Sequence, residues 1–307
     1  MSFSIEVKEE IVLHTFNEDQ TTAFLSGFIK HNGEILFTSD GLELKISSSS
    51  NQTIREFYKK IKNVFDGKIN IRIVQYQKLK KNKVYELILS NNVKSFLEKY
   101  EVLEPDTLQK KITLKKEWVQ TEEILRAYIA GTFIATGSVN SPKTSNYHLE
   151  IQLDNKKEAI YLSKILKNFN FKIIQRKNKW VMYIKKSLLI SDFLKFIDVP
   201  KSVIYFENTR IKRDYSNNIN RMINIDIYNQ QKSIQVSEKQ TELIKNISEK
   251  KYKNLSYKAK KLCELRIENP DSSFAELEVL MNEAGIKITK SGISNLFKII
   301  AKASREE

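Results

Sequence analysis

Two segments of this chain repeat one another, and that repeat limits the fold more than any other feature of the sequence. The first reads Ala23-Phe24-Leu25-Ser26-Gly27-Phe28-Ile29-Lys30-His31-Asn32-Gly33, the second Ala127-Tyr128-Ile129-Ala130-Gly131-Thr132-Phe133-Ile134-Ala135-Thr136-Gly137. Gly131 and Gly137 each lie 104 residues after their counterparts Gly27 and Gly33. The chain has only 8 glycines, and these segments hold four of them. Small residues recur one helical turn apart, at Ala23 and Gly27 and at Ala127, Gly131 and Ala135. Such a stripe lets two helix backbones approach closely. The plain alternative is a pair of ordinary core helices, and the matched glycine spacing argues against it.

The repeat extends downstream of the segments. Each is followed by strand-like alternation, Leu42–Ile46 and Tyr147–Ile151. A further strand is expected just after each motif, at Glu34–Thr38 and within Ser138–Asn146. An amphipathic helix comes next, with Phe57, Ile61 and Phe65 on one face in the first half and Tyr161, Ile165 and Phe169 in the second. Two more strands follow in each half, near Lys68–Gln77 and Lys83–Leu89, and near Phe171–Arg176 and Trp180–Lys185. A closing helix is expected at Asn92–Tyr100 and at Ser187–Ile197. The expected architecture is therefore α+β over residues 1–200, with repeats at about 14–105 and 118–200, two mixed sheets and two central helices. Residues 201–234 read as a basic linker with a helical part.

Residues 235–305 read as a small all-α domain. Ser256 can cap a helix whose apolar face is Ala259, Leu262, Cys263 and Ile267. Asn269-Pro270 ends it. Ser273 and Glu276 form a capping-box pattern ahead of Phe274, Leu277, Leu280, Met281 and Ala284. Gly285 suits a helix end. Thr289 can cap a last helix with Ile293, Leu296, Phe297 and Ile300 on its apolar side. The order suggests a helix-turn-helix, in which the last helix enters the DNA major groove. There Lys290 can reach guanine acceptors, Asn295 can pair with adenine, and Ser291 and Ser294 are adaptable. Lys287, Lys298 and Lys302 suit phosphates. Gly292 is placed to admit a close backbone approach.

Charge supports a polyanionic partner. The formal net charge is +15, distributed as +1 over residues 1–110, +11 over 111–234 and +3 over 235–307. Lys, Ile and Asn share AT-rich codons, so genome composition is a competing source of the lysines. The uneven distribution favours nucleic acid. Lys177, Lys179 and Lys185 cluster on one expected hairpin, and Arg210, Lys212, Arg213 and Arg221 lie in the linker. One cysteine, Cys263, rules out an intrachain disulfide or a cysteine zinc site. The histidines His14, His31 and His148 have no metal-ligand spacing, and no glycine motif for a nucleotide cofactor is present. No cofactor or metal is expected. No apolar run of about 18 residues occurs, so no membrane span is expected, and the acid-rich start Glu6, Glu9, Glu10 does not read as a signal peptide.

The paired motifs resemble the LAGLIDADG helices of homing endonucleases, which cross at the pseudo-dyad of a DNA-binding saddle. In that family the acid before the final glycine holds the catalytic metal; here Asn32 and Thr136 stand there. An amide is a weak ligand and a hydroxyl supplies no charge, so a symmetric two-metal site cannot be assembled from the motif ends. Over nearly its whole length the chain also resembles the WhiA family. The resemblance rests on Ser2-Phe3-Ser4 with Val7-Lys8-Glu9-Glu10, on Ala23–Gly33, on Gly137-Ser138-Val139-Asn140 with Pro142 and Tyr147–Ile151, on Phe206-Glu207-Asn208, on Asn220-Arg221 with Asn224 and Asn229, and on Thr289–Ile293. It implies a degenerate LAGLIDADG domain fused to a helix-turn-helix, DNA binding, and transcription control tied to cell division, chromosome segregation and, in some bacteria, sporulation. It further implies a cytoplasmic, nucleoid-associated monomer without nuclease activity, working on double-stranded DNA alongside other transcription or cell-division proteins. The chain departs from the family pattern in an arginine-poor recognition helix and in Ile225, where a cysteine is usual. The alternatives are a LAGLIDADG-type endonuclease with an atypical metal site and a protein-interaction scaffold.

Overall fold

The computed structural model describes residues 2–39, 41–75 and 83–305. The chain divides into two compact units, Met1–Arg213 and Asp214–Glu307.

The first unit is built on the repeat. Helix α1 (Phe3–Val12) precedes the first motif helix α2 (Glu18–Asn32). Asn17 and Gln20 close a capping box at the start of α2. The first half continues through β1 (Glu34–Thr38), β2 (Gly41–Ser48), α3 (Asn51–Lys62), β3 (Lys68–Gln75), β4 (Lys83–Ser90) and α4 (Val93–Lys99). The short α5 (Lys116–Gln120) leads into the second motif helix α6 (Glu122–Thr136). The second half repeats the order with β5 (Gly137–Val139), β6 (Leu149–Leu153), α7 (Lys156–Ile165), β7 (Lys172–Arg176), β8 (Lys179–Ile184) and α8 (Ser187–Phe196). The sheets run β1-β2-β4-β3 and β5-β6-β8-β7. Every pairing among the described residues is antiparallel, where mixed sheets were expected. The outer strands of each sheet join by hairpins, the inner pair β2–β4 or β6–β8 is reached across a helix and a strand, and none of these pairings needs a parallel crossover. Tyr76 and Gln77, expected at the end of the third strand, lie outside the described residues.

The motif helices meet where the glycines are. A Cβ on Gly27 would lie 2.2 Å from the Tyr128 carbonyl oxygen, and one on Gly131 would lie 2.1 Å from the Phe24 carbonyl oxygen. Phe24 and Tyr128 are themselves related by the same 104-residue shift, so the two contacts exchange under the internal two-fold. Backbone therefore touches backbone at the dyad, and no residue with a side chain fits there. Aromatic packing extends the core on the first side, where Phe28 and Phe57 stack with centroids 3.6 Å apart.

The second half departs from the expected helix face. In α7 the buried residues are Glu158, Ala159 and Leu162, whereas Tyr161, Ile165 and Phe169 are half-buried. The Tyr161 hydroxyl accepts a hydrogen bond from the Leu114 N–H (3.0 Å), which draws that ring outward. Phe169 lies past the helix end, in a short 3-10 turn.

Pro200 begins α9 (Pro200–Lys245), a single 46-residue helix that contains all of residues 201–234, expected as a linker only partly helical. The start of α9 belongs to the first core. Phe206 is fully buried against Phe3 and Tyr147. Glu10 of α1 accepts hydrogen bonds from the Lys201 and Ser202 N–H groups at 2.8 and 3.0 Å, capping α9 from another element. From Asp214 to Lys232 every residue is exposed.

In the second unit, α10 (Glu249–Lys253), α11 (Tyr257–Glu268), α12 (Phe274–Glu283) and α13 (Lys290–Arg305) pack with the end of α9 around one core. Ser256 and Ser273 cap α11 and α12, the latter in a full capping box with Glu276. Ile267, expected in the core, is exposed, and so is Ala284. The side chain that α11 buries beside Leu262, Cys263 and Leu265 is Arg266, 1% exposed. Cys263 is a core residue, and burial pushes its thiol up to about 11.

Candidate nucleic-acid interface

Helix α13 presents two unlike faces. Ile293, Phe297 and Ile300 are buried in the second core, with Leu296 half-buried. Lys290, Ser291, Asn295, Lys298 and Lys302 are exposed, as is Lys287 in the preceding turn; Ser294 is half-buried, so it is a flank of this face. The turn from α12 is held on both sides. Gly285 has φ +80°, which a side chain would strain. The Asn282 amide accepts from the Ile288 N–H (3.2 Å) and donates to its carbonyl (3.3 Å). Thr289 caps α13 by accepting from the Gly292 N–H (3.3 Å). Gly292 serves packing, not ligand approach: a Cβ there would meet the Ile288 side chain at 2.7 Å.

Arg266 fixes the other end of the arrangement. Its guanidinium donates to the carbonyls of Pro270 (3.2 Å) and Ser272 (2.6 Å) and to the Ser237 hydroxyl (3.3 Å). It also lies over the ring of Phe297, 5.6 Å from the centroid. Burial lowers its pKa. Among the described residues no carboxylate pairs with it, so the Pro270 and Ser272 carbonyls, the Ser237 hydroxyl and the Phe297 ring solvate this charge. Periodicity could not find it, because an arginine in an apolar register reads as a break in the pattern.

The motif ends are occupied by structure. The Asn32 side chain accepts from the Ser47 N–H and donates to the Ser47 carbonyl, both at 3.0 Å, clamping α2 to β2. The Thr136 hydroxyl donates back to the Thr132 carbonyl within α6 (3.3 Å). Both side chains point their polar atoms at backbone.

Beside them lies a buried polar cluster. The Lys30 ammonium is 2.5 Å from a Glu158 carboxylate oxygen, with His31 Nε2 3.6 Å from the same oxygen. Lys110 donates to the Lys30 carbonyl (2.5 Å). Burial, added to by the Lys30 charge, holds His31 well below its ordinary pKa. The 104-residue shift maps Lys30 to Ile134 and Glu158 to Ile54, both buried. Each half thus gives one charged residue to the pair and holds an isoleucine at the position that matches its partner's.

The sheets differ in charge as well. Leu149, Ile151, Met182 and Ile184 turn into the core, so by alternation Glu150, Gln152, Tyr183, Lys172, Ile174, Arg176 and Lys179 share the opposite face. On that face cations outnumber Glu150. On the matching face of the first sheet, Glu34, Glu43 and Glu86 offset Lys45, Lys68 and Arg72. The structure therefore puts the basic excess on the second sheet. Of the expected basic residues, Lys177 is exposed in the β7–β8 turn with φ +55°. Lys179 pairs with Asp154, and Lys185 lies over the Tyr183 ring. Arg210 pairs with Glu207 (2.6 Å). Arg213 donates to the Thr144 carbonyl (2.6 Å) and the Ser145 carbonyl and stacks on Tyr147. Lys212 and Arg221 are exposed on α9. Arg213 is thus a loop clamp.

Three family models match in sequence. The WhiA N-terminal LAGLIDADG-like domain matches residues 18–103, the WhiA LAGLIDADG-like domain 125–216, and the WhiA C-terminal HTH domain 219–304. This chain belongs to the WhiA family. It is 32% identical to a probable cell division protein WhiA of Lacticaseibacillus paracasei over 96% of this chain and 94% of that one. It is equally similar, at 32% over the same shares, to one from Staphylococcus aureus. The crystal structure of full-length WhiA from Thermatoga maritima has the same fold, at TM-score 0.57 and 24% identity over 99% of this chain and 98% of that one. The family's LAGLIDADG-like halves correspond to the two repeats, and its helix-turn-helix model begins within the exposed part of α9. No helix among the described residues is long and apolar enough to cross a membrane.

Proposed function

We propose that this protein is a DNA-binding transcriptional regulator tied to cell division and chromosome segregation, acting on double-stranded DNA without cutting it. The observation that carries the reading is α13, whose buried face is locked by Thr289, Asn282 and Arg266 and whose outer face offers Lys290, Ser291, Asn295 and Lys298 together. Ser291 and Asn295 supply base contacts, and the lysines meet phosphates. The second sheet, with Lys177, Lys179 and Lys185, adds sequence-independent attraction. A cytoplasmic, nucleoid-associated monomer follows from this reading.

Two variants separate the roles in binding titrations at several salt concentrations. Replacing Ser291 and Asn295 with Ala is expected to lower preference for the target over random DNA, with an unchanged salt slope. Replacing Lys177, Lys179 and Lys185 with Ala is expected to weaken all DNA and to flatten the slope by roughly one per lost phosphate contact. A hairpin variant that binds like the parent at every salt removes the second sheet from the interface.

Asn32 and Thr136 spend their polar atoms on backbone and leave no acid at the motif ends to hold a metal. Full-length protein with Mg²⁺ or Mn²⁺ is expected to leave supercoiled plasmid intact. Chelator-sensitive nicking that is lost in a Glu34→Gln variant overturns that part of the reading.

A further inference from the structure

The second sheet contains a cavity as well as a charged face. It has a volume of about 570 Å³, within the range of small-molecule sites. His148, Arg176, Lys185, Tyr147, Tyr183 and Asn146 are among its lining residues, and no carboxylate is among those that line it. Glu150, on the same face of the sheet, orients two of the lining side chains. Glu150 is buried, and its carboxylate receives His148 Nε2 (2.9 Å), Arg176 Nη1 (3.1 Å) and the Gln152 amide (2.9 Å). Burial pushes the Glu150 carboxyl up, but these hydrogen bonds and the Arg176 charge outweigh it and hold it down. The ionised carboxylate so held occupies one arm of the Arg176 fork, and among the described residues that guanidinium meets no other side chain or backbone acceptor. The rings add a flat apolar wall. His148 stacks on Tyr183 with centroids 5.7 Å apart and planes 26° apart. Lys185 sits 5.5 Å from the Tyr183 centroid. Tyr147 is held by Arg213, which also anchors the loop at Thr144 and Ser145.

We propose that this cavity binds a nucleoside phosphate, with the phosphate at Arg176 and Lys185 and the base against the His148–Tyr183 wall and the Asn146 amide. A guanidinium oriented by a buried carboxylate is a phosphate donor with little ordering left to lose. The volume exceeds what a bare phosphate fills, and the rings and amide offer an organic moiety both stacking and hydrogen bonds. The nucleotide has two sources, a free nucleotide or an unpaired nucleotide within a DNA strand.

The test uses the full-length chain. Calorimetric titrations with the four nucleoside monophosphates are compared with inorganic phosphate, and a duplex carrying one bulged nucleotide is compared with the same duplex fully paired. Lys185→Gln and Arg176→Gln are measured alongside. Among the described residues Lys185 meets only the Tyr183 ring, so its variant keeps the test valid if Arg176→Gln loosens the loop. A monophosphate that binds more tightly than phosphate, and weakens by roughly tenfold in each variant as expected for one charge-assisted hydrogen bond, identifies a free nucleotide. A preference for the bulged duplex that both variants abolish identifies a strand nucleotide. Phosphate binding as well as the monophosphates, binding by neither probe, or variants that match the parent overturns the proposal. Target preference through α13 is read on paired DNA, so failure here is distinguishable from failure of the regulator reading.

Discussion

Gly131→Leu will lower the melting temperature of the first unit by about 6–12 °C, the scale of roughly 3 kcal/mol in a domain of this size. Even a methyl group at Gly131 would stand 2.1 Å from the Phe24 carbonyl oxygen, and backbone of a central helix cannot step aside as a side-chain tip can. Relief requires moving α2 and α6 apart, which opens the core on both sides of the dyad. Gly292→Ala is the useful comparison. There the nearest atom belongs to the Ile288 side chain, which can rotate, so the expected change is small. Circular dichroism melts of both variants check the contrast. An unchanged melt for Gly131→Leu would mean the motif helices do not pack through this face.

Lys30→Met will cost about 3–5 kcal/mol, because it leaves Glu158 buried without its cation. The sister half supplies the remedy. Lys30→Ile with Glu158→Ile copies the Ile134 and Ile54 arrangement, and the double variant is expected to be more stable than either single one. Burial raises the Glu158 pKa, and without Lys30 the folded state will favour the protonated acid further. The folded form of Lys30→Met then binds more protons than the unfolded chain above the ordinary glutamate pKa of about 4.3. Its deficit therefore grows as pH rises through that range and shrinks below it. Chemical denaturation of the parent, Lys30→Met, the two isoleucine singles and the double variant at acid and neutral pH checks both claims. A double variant no better than Lys30→Met would show that the two halves are not interchangeable at this position.

Much of the repeat could be read without a structure because its signals are local. The glycine spacing placed α2 and α6, alternation placed most strands, and Ser273 with Glu276 marked the start of α12. What could not be read depended on partners far away in sequence. Glu10 capping α9 is separated from Lys201 by 191 residues, so Pro200 looked like a boundary although the helix start is docked. Arg266 and Lys30 are charged side chains in core positions, and a pattern rule assigns such residues to the surface. Antiparallel pairing was missed because a strand's own residues carry little record of its neighbour's direction. At the interface, the exposed face of α13 was legible from helical spacing. The cavity beside His148 was not, since its residues come from a loop and two strands that only the register brings together.

The Lys30–Glu158 pair also decides which halves may associate. If two copies of the first repeat met through their motif helices, each Lys30 would face an Ile54, a bare ammonium against aliphatic carbon. Two copies of the second repeat would set each Glu158 against an Ile134. Both like-with-like assemblies strand a charge in a dry core, whereas the unlike pair neutralises it. A duplication that began as two interchangeable modules is thereby committed to heterotypic assembly, and a nascent chain whose first half is already folded has a chemical reason to wait for its own second half.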